Sequence, residues 1–221
     1  RRWRPDPLSW LIVVVALLGL GTLLYPATAQ WLSSYQQSLL IGGYQDKLDS
    51  VTPDPATQLA RARAYNAALT AGVDLLAGAH VPKGTGDSRA ADLDYRTILT
   101  VDDSGVMARL RFPAAEVDLP VYHGTADSTL LKGAGHLEGS PLPVGGAGTH
   151  AVITAHRGLV TAAMFTHLDR AEVGDRFTLE VFGEVLTYRV RDTRVVDPHD
   201  TDSLRAVAGK DLVTLVTCTP L

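Results

Sequence analysis

Two residues of this chain, Cys218 and His156, have the side chains and the surroundings that covalent acyl transfer requires. Cys218 is the only cysteine and ends the apolar run 211–218, while His156 directly follows the mostly apolar run 150–155. A thiolate attacks carbonyl carbons, and a nearby imidazolium lowers the thiol pKa and then protonates a leaving amine. We therefore predict a cysteine enzyme in which Cys218 is the nucleophile and His156 its partner, provided that the two runs converge in space.

Each of these residues also has an ordinary structural alternative. A lone cysteine is often a small buried hydrophobe, and a given histidine is more often a surface or hydrogen-bonded residue than a catalyst. We assign that structural role to the other six histidines, which are His80, His123, His136, His150, His167 and His199. A single cysteine also excludes an intrachain disulfide and a cysteine-rich metal site.

Motifs for other common chemistries are absent from the sequence. It contains no G-x-x-x-x-G-K-[ST] phosphate loop, no H-E-x-x-H zinc motif and no G-x-S-x-G serine elbow. The glycine-rich segment 145–148 precedes a predicted strand and is interpreted as a turn. The net charge of −4 provides no general basic surface for nucleic acid. We predict no metal, no cofactor and no nucleic-acid partner.

Short alternating runs from residue 105 onward predict the elements that would position the pair. The predicted strands are 106–112, 117–122, 150–155, 176–182, 184–190 and 211–218. Alternating apolar and polar residues indicate half-buried strands, and many short strands joined by Gly and Pro turns are typical of a closed β-barrel. The only helix predicted within this region is 159–168. The predicted fold class is therefore mostly β.

Residues 8–25 form an uncharged apolar segment near the start of the chain. As a helix, such a segment spans about 27 Å at about 1.5 Å per residue, enough for a bilayer core. Three arginines in the flank 1–7 place the N-terminus in the cytoplasm by the positive-inside rule. We predict an uncleaved signal anchor and a single-pass membrane protein with its catalytic domain outside the cell. Cleavage after Ala29 and a buried core helix are the alternatives.

Residues 26–76 are predicted to form a helical stalk between the apolar segment and the barrel. A helix should begin at Asp54 and Pro55, because aspartate is a good N-cap and proline fits the first helical position. Apolar residues that follow at helical spacing should pack against the domain.

Residues 77–104 are predicted to form a long loop before the barrel. Its Gly, Pro and Asp content and its length are typical of a lid or a disordered segment. Asp94 and Tyr95 are its acidic-aromatic pair and the candidate lid residues, with membership of the barrel edge as the alternative for Tyr95.

Four segments of the chain resemble the sortase family of cysteine transpeptidases. T-L-V-T-C at 214–218 matches the sortase T-L-x-T-C signature, and I-T-A-H-R-G at 153–158 matches the segment around the sortase histidine. L-P-V-Y-H-G at 119–124 and the stretch 135–146 are similar to the class C branch, which polymerises pilins. The four motifs occur in the family's order, which makes the resemblance specific.

The resemblance implies an eight-stranded sortase-type barrel over residues 105–221, with its last strand truncated. It implies that Cys218 attacks the Thr–Gly bond of an LPxTG-like sorting signal while the histidine protonates the leaving glycine amine. An amine, commonly a pilin lysine in class C, then resolves the thioacyl enzyme. We expect Thr154, Arg157 and Thr217 to contact the substrate, with a structural or rim role as the alternative for Arg157.

Three features depart from the family pattern. The family has an arginine on the strand after the cysteine, which holds the substrate and stabilises the oxyanion, but only three residues follow Cys218. The predicted loop lacks the Asp-Pro-aromatic motif of class C lids, and no second apolar helix follows the barrel. Because the chain also begins with Arg1 instead of methionine, we expect a fragment that is inactive without that arginine.

Other functions stay open at this stage. Within the family, the alternative is a housekeeping sortase that joins surface proteins to a peptidoglycan precursor. Outside it, the alternatives are a catalytically silent, membrane-tethered binding module and a cysteine hydrolase that releases an acid.

Overall fold

The computed structural model describes residues 6–69, 94–102, 104–197 and 202–219. The arginine flank, most of the predicted lid loop, His80 and His199 lie outside the described residues. The described helices are α1 (Pro7–Lys47), α2 (Pro55–Ala68) and α3 (Asp127–Leu130). The described strands are β1 (Val106–Phe112), β2 (Val117–His123), β3 (Ala134–His136), β4 (Thr149–Thr154), β5 (Arg176–Val181), β6 (Glu184–Arg189) and β7 (Asp211–Val216).

Helix α1 joins the predicted anchor to the start of the predicted stalk in one helix of 41 residues. Within the described part of the chain, it is the one helix whose length and composition would let it cross a membrane. Residues 7–25 are exposed, whereas Gln37, Ile41 and Tyr44 are buried against the barrel. The apolar segment is therefore continuous with a helix that packs on the domain.

Helix α2 begins at Pro55, as the Asp54–Pro55 pair predicts. The Asp54 carboxylate accepts hydrogen bonds from the Thr57 backbone N–H at 3.1 Å and from the Thr57 hydroxyl at 2.6 Å. At the other end, the Asn66 side chain donates to the Leu142 carbonyl at 2.9 Å and accepts from the Leu142 N–H at 2.7 Å. These bonds fix α2 on the barrel.

The seven strands form one sheet in the order β6-β5-β1-β2-β3-β4-β7. Most neighbours are antiparallel, but β2 pairs with β3 and β4 pairs with β7 in parallel. Tyr188 on one edge strand donates to the Asp211 carboxylate on the other edge strand at 3.0 Å, so the sheet curls into a nearly closed barrel. The predicted mostly-β barrel is confirmed, and the eighth strand does not fall among the described residues.

The structure differs from the predicted elements in three places. The predicted helix 159–168 is wrong: these residues form turns followed by a short 3₁₀ helix, Leu168–Arg170. Met164 has a positive φ of 41°, which an α-helix excludes. Strand β3 is too short for alternation to reveal it, and the last predicted strand stops at Val216, two residues before the cysteine.

The barrel interior is filled by apolar side chains from facing strands. Burial of such side chains contributes about 1.5–3 kcal/mol each relative to leaving them exposed. The fully buried members from the strands include Leu110, Phe112, Val121, Ile153 and Leu179. This packed interior makes the strands rigid supports for residues at their ends.

Candidate active site

The pairing of β4 with β7 determines where His156 and Cys218 lie. The two strands run parallel from Thr149 opposite Asp211 to Thr154 opposite Val216. Each pair of partners is separated by 62 positions in the chain, and so are residues 156 and 218. Neighbouring strands are about 4.8 Å apart, so the same register, if continued by two residues, would bring His156 opposite Cys218.

Three hydrogen bonds continue the pairing beyond the ends of the strands. The Ala155 N–H donates to the Val216 carbonyl at 3.3 Å, and the Thr154 hydroxyl donates to the same oxygen at 3.1 Å. In return, the Thr217 hydroxyl donates to the Ala155 carbonyl at 2.9 Å. These bonds tie together the two segments that carry the candidate pair. A substrate contact by Thr154 or Thr217 stays a prediction.

Arg157 connects the loop after His156 to the segment after Cys218. Its guanidinium donates to the Thr166 carbonyl and to the Thr219 hydroxyl, both at 3.3 Å. It also pairs with the Asp169 carboxylate at 3.0 Å, and its side chain is only 10% exposed. These three partners within the protein give Arg157 a structural role, and its contact with a substrate stays a prediction.

The candidate pair lies at the solvent boundary of the barrel. Cys218 is exposed and His156 is half-buried, although the strand residues before His156 are buried. The His156 carbonyl accepts a hydrogen bond from the Phe165 N–H at 3.0 Å, which closes the loop that follows. The thiol is therefore exposed at this end of the barrel, and a backbone hydrogen bond fixes the position of His156 in the chain.

The two candidate lid residues have different surroundings. Tyr95 is buried: its hydroxyl lies 2.9 Å from His136 Nδ1 and accepts from the Gly124 N–H at 3.0 Å. Burial raises its pKa above the ordinary range for tyrosine. Asp94 is exposed and accepts from the Arg96 N–H at 3.0 Å. Tyr95 therefore packs in the core, whereas its alternative assignment is the barrel edge. A lid role stays a prediction for Asp94 and for residues outside the described ranges.

His136 is fully buried, and its ring forms hydrogen bonds with other residues of the protein. Its Nε2 lies 2.9 Å from the Pro141 carbonyl oxygen. Because a carbonyl oxygen only accepts, Nε2 carries the proton and Nδ1 is an acceptor that faces the Tyr95 hydroxyl. That hydroxyl also lies 3.1 Å from the His136 carbonyl oxygen, to which it can donate. Burial lowers the pKa of His136 to about 4. The residue has the hydrogen-bonded structural role predicted for it.

His150 supports the strand that leads to the cysteine. Its Nδ1 lies 2.9 Å from the Arg205 carbonyl oxygen and its Nε2 lies 2.7 Å from the Thr214 hydroxyl. By the same reasoning, Nδ1 donates and Nε2 accepts from Thr214. Sequence reasoning places His150 among the structural histidines but misses this partner, because nothing local shows that its strand neighbours β7.

Metal chemistry has no obvious location in the described part of the chain. Among these residues, no three histidine, cysteine, aspartate or glutamate side chains come close enough to share an ion.

Comparison with known proteins identifies the class to which this fold and site belong. A family model for the sortase domain matches residues 110–221. The chain belongs to the sortase family.

The solved structures that resemble this one include class C members. Sortase C-1 from Actinomyces oris is 44% identical, with 75% of this chain and 90% of that chain covered and a TM-score of 0.66. Sortase C from Streptococcus pneumoniae is 35% identical, with 82% and 88% covered and a TM-score of 0.70. The resemblance to the class C branch is therefore confirmed.

Sequence relatives agree over a shorter region. Sortase A from Streptococcus agalactiae is 28% identical over 117 residues, which is 52% of this chain and 47% of that protein. The chain spans about half the length of the curated relatives it matches.

Proposed function

We propose that this protein is a membrane-anchored cysteine transpeptidase that cleaves an LPxTG-like sorting signal between Thr and Gly and joins it to an amine. The observation that carries the proposal is the parallel pairing of β4 and β7 up to Thr154 and Val216, two residues before His156 and Cys218. A nucleophile and its acid need this proximity and a rigid mounting.

The first step forms a thioacyl enzyme. The thiolate of Cys218 attacks the carbonyl carbon of the threonine in the sorting signal, and a carbon–sulfur bond forms. The carbon–nitrogen bond to glycine then breaks, and the imidazolium of His156 gives its proton to the departing amine. The threonine acyl group is left on sulfur as a thioester.

The second step transfers the acyl group to an amine. The incoming nitrogen attacks the thioester carbonyl, loses a proton to the neutral imidazole, and displaces the Cys218 thiolate. One amide bond is broken and one is formed, so the reaction needs no cofactor. The acceptor in the proposal is a pilin lysine, which makes the product a covalent pilus. Its support is the likeness to the Streptococcus pneumoniae sortase C, whose structure is described in terms of pilin substrate specificity.

The proposed organisation follows the chain from the membrane outward. Residues 1–7 are the cytoplasmic flank, residues 8–25 the anchor, and residues 26–76 the stalk. Residues 77–104 contain the lid loop, and residues 105–221 form the catalytic barrel outside the cell. The apolar surface of α1 supports this assignment, since its residues from Pro7 to Tyr25 are exposed.

Replacement of the nucleophile tests the proposal. In the full-length protein, Cys218→Ala should abolish cleavage of an LPxTG peptide without changing the fold, because alanine cannot form the thioester. The measurement is chromatographic detection of cleaved peptide, with far-UV circular dichroism to check folding. Cleavage by a well-folded Cys218→Ala variant would show that another residue is the nucleophile.

The products identify the acceptor and separate the alternatives. We expect a new amide in mass spectra when a pilin-derived lysine peptide is present. An amide formed only with a peptidoglycan-precursor amine would indicate the housekeeping function, and a free threonine carboxylate in all conditions would indicate a hydrolase. Binding of the peptide without any product would indicate a silent binding module.

A further inference from the structure

Helix α1 has no interruption between the part that could cross a membrane and the part that packs on the barrel. It runs from Pro7 to Lys47, about 62 Å at about 1.5 Å per residue. Residues 7–25 are exposed, and the later residues contact the barrel. Pro26 lies inside the helix, between these two parts. The continuous helix therefore keeps the barrel close to whatever depth the first part takes in a bilayer.

Three side chains spaced seven residues apart hold the barrel to one face of α1. Gln30 donates to the Val160 carbonyl at 3.4 Å, and Gln37 donates to the Lys132 carbonyl at 3.2 Å. Tyr44 donates to the Met107 carbonyl at 3.2 Å and accepts from the Phe182 N–H at 2.9 Å. Seven residues are about two helical turns or about 10.5 Å, so these contacts mark three heights along the helix.

An aromatic pair marks the level at which α1 would leave the hydrocarbon. Trp31 and Tyr35 stack with ring centroids 5.8 Å apart, and they are 67% and 51% exposed. Tryptophan and tyrosine are enriched at membrane–water interfaces. Residues 8–28 would fill a hydrocarbon core of about 30 Å, which places Trp31 in the headgroup layer. The hydrogen bond from Gln30 to the Val160 carbonyl lies at nearly the same height.

The part of the barrel at this height presents apolar side chains to the outside. Leu131 is 60% exposed and Val160 is 58% exposed. Leu131 and the neighbouring Thr161 line a groove against α1 together with Tyr25 and Leu32. Single exposed apolar residues are common on soluble proteins, but these lie beside the apolar surface of α1 and continue it onto the barrel. Lys132, which is also exposed, adds a cation that suits lipid phosphates.

We propose that the rim formed by Leu131, Lys132 and Val160 rests in the headgroup layer of the bilayer that α1 crosses. The proposal depends on the anchor role given to α1 under the proposed function. The occupant is lipid, because the rim continues a surface already suited to lipid and lies level with the interfacial aromatic pair.

The consequence for the candidate site is a short, fixed distance to the membrane. His156 is four residues from Val160, and four residues span at most about 14 Å. The Phe165–His156 hydrogen bond holds this loop closed. The site would therefore act on peptide segments that lie close to the membrane surface.

Site-directed spin labelling of the full chain in vesicles of phosphatidylcholine and phosphatidylglycerol tests the rim. In a Cys218→Ala background, single cysteines are introduced by Val160→Cys, Leu131→Cys and Val185→Cys. Val185 is the matched control: it is 63% exposed and lies three residues after Phe182, which bonds to the distal Tyr44. Collision with oxygen and with a water-soluble nickel chelate is measured by power saturation.

We expect the nickel chelate to reach the labels at 160 and 131 at least about threefold less often than the label at 185, while oxygen reaches all of them, because oxygen partitions into lipid and the chelate does not. A label introduced by Leu17→Cys reports on the anchor itself. If position 17 is shielded from nickel and position 160 is as accessible as 185, the rim proposal is overturned and the anchor stands. If position 17 is accessible, the anchor fails as well.

A protein partner would give a different pattern. Shielding of position 160 from both oxygen and nickel, with spin–spin broadening between labelled copies, would show that a second copy covers the rim. Shielding from both without broadening would show another protein contact, and either result would overturn the lipid assignment.

Discussion

Cys218 and His156 depend on neighbours that hold them from both sides. Thr154 and Thr217 tie the backbones on which they stand, and Arg157 joins the loop after the histidine to the residue after the cysteine. These contacts hold the backbone on both sides of the exposed Cys218 and the half-buried His156. Substitution of His156 should therefore affect the chemical step, whereas substitution of the neighbouring threonines should affect its position.

His156→Ala should reduce formation of the amide product about 10²- to 10⁴-fold, because the leaving amine would lack its acid. The measurement is kcat/KM with the LPxTG peptide and a lysine acceptor. His167→Ala is the matched control, since His167 is a partly exposed histidine beside Glu116 and should retain wild-type activity. Full activity in His156→Ala would assign the acid to another residue.

The parallel pair β4 and β7 positions the two segments that carry the candidate residues. Helix α2 and the antiparallel strands support β4 and β7. Among the strand pairs of the described residues, no other pair leads directly to a candidate catalytic residue. The ties at the ends of the two strands should therefore matter more for activity than equivalent bonds elsewhere on β4.

Thr154→Val tests the end of the strand pair. Valine keeps the β-branched shape but loses the bond to the Val216 carbonyl, which should lower the free energy of unfolding by about 1 kcal/mol and lower kcat. Thr149→Val is the control, because Thr149 at the other end of β4 donates a comparable bond to the Gly146 carbonyl at 2.7 Å. Both variants are measured by urea unfolding and steady-state kinetics.

Equal losses of kcat in the two threonine variants would contradict the positional role of Thr154. A rise in KM with kcat unchanged would instead support the predicted contact between Thr154 and the substrate.

The sequence predicts six strands from alternating or mostly apolar runs of six to eight residues. It misses β3, because the three residues Ala134–His136 are too few to show alternation. Gly135 in this strand packs closely against the end of β2: a Cβ there would lie 2.4 Å from the Gly124 carbonyl oxygen. The residue types of the candidate pair can be recognised from their motifs. Their register cannot, because local patterns do not state that β4 and β7 are parallel neighbours.

At the scale of the whole molecule, stability depends on buried polar groups inside the barrel as well as on apolar packing. Tyr95, Gly124, His136 and Pro141 form one hydrogen-bonded group that joins the segment before β1 to β3. The group is built on the neutral imidazole of His136, because burial disfavours the charged form.

The stability of the protein should therefore fall in acid. The folded-state pKa of His136 is about 4, below the unfolded value of about 6.5, so the unfolded chain binds the extra proton between these limits. The resulting loss begins as the pH falls through 6.5, levels off below 4, and amounts to about 3 kcal/mol at most. Urea unfolding from pH 7 to pH 4.5 measures it.

His136→Gln should show a shallower dependence of unfolding free energy on pH, whatever its absolute stability. His167→Gln provides the comparison, because that partly exposed residue does not belong to the buried group. An unchanged pH slope in His136→Gln would mean that other groups cause the acid sensitivity.

All paired residues of β4 and β7 are 62 positions apart in the chain. This constant separation determines which insertions and deletions the protein can tolerate. Segments between the two strands can gain or lose residues in evolution, because such insertions and deletions leave both strands paired as before. A deletion inside a strand has a different effect, since it slides one chain past the other. Removing one residue from β4 while its first pair, Thr149 with Asp211, is retained would leave Arg157 opposite Cys218.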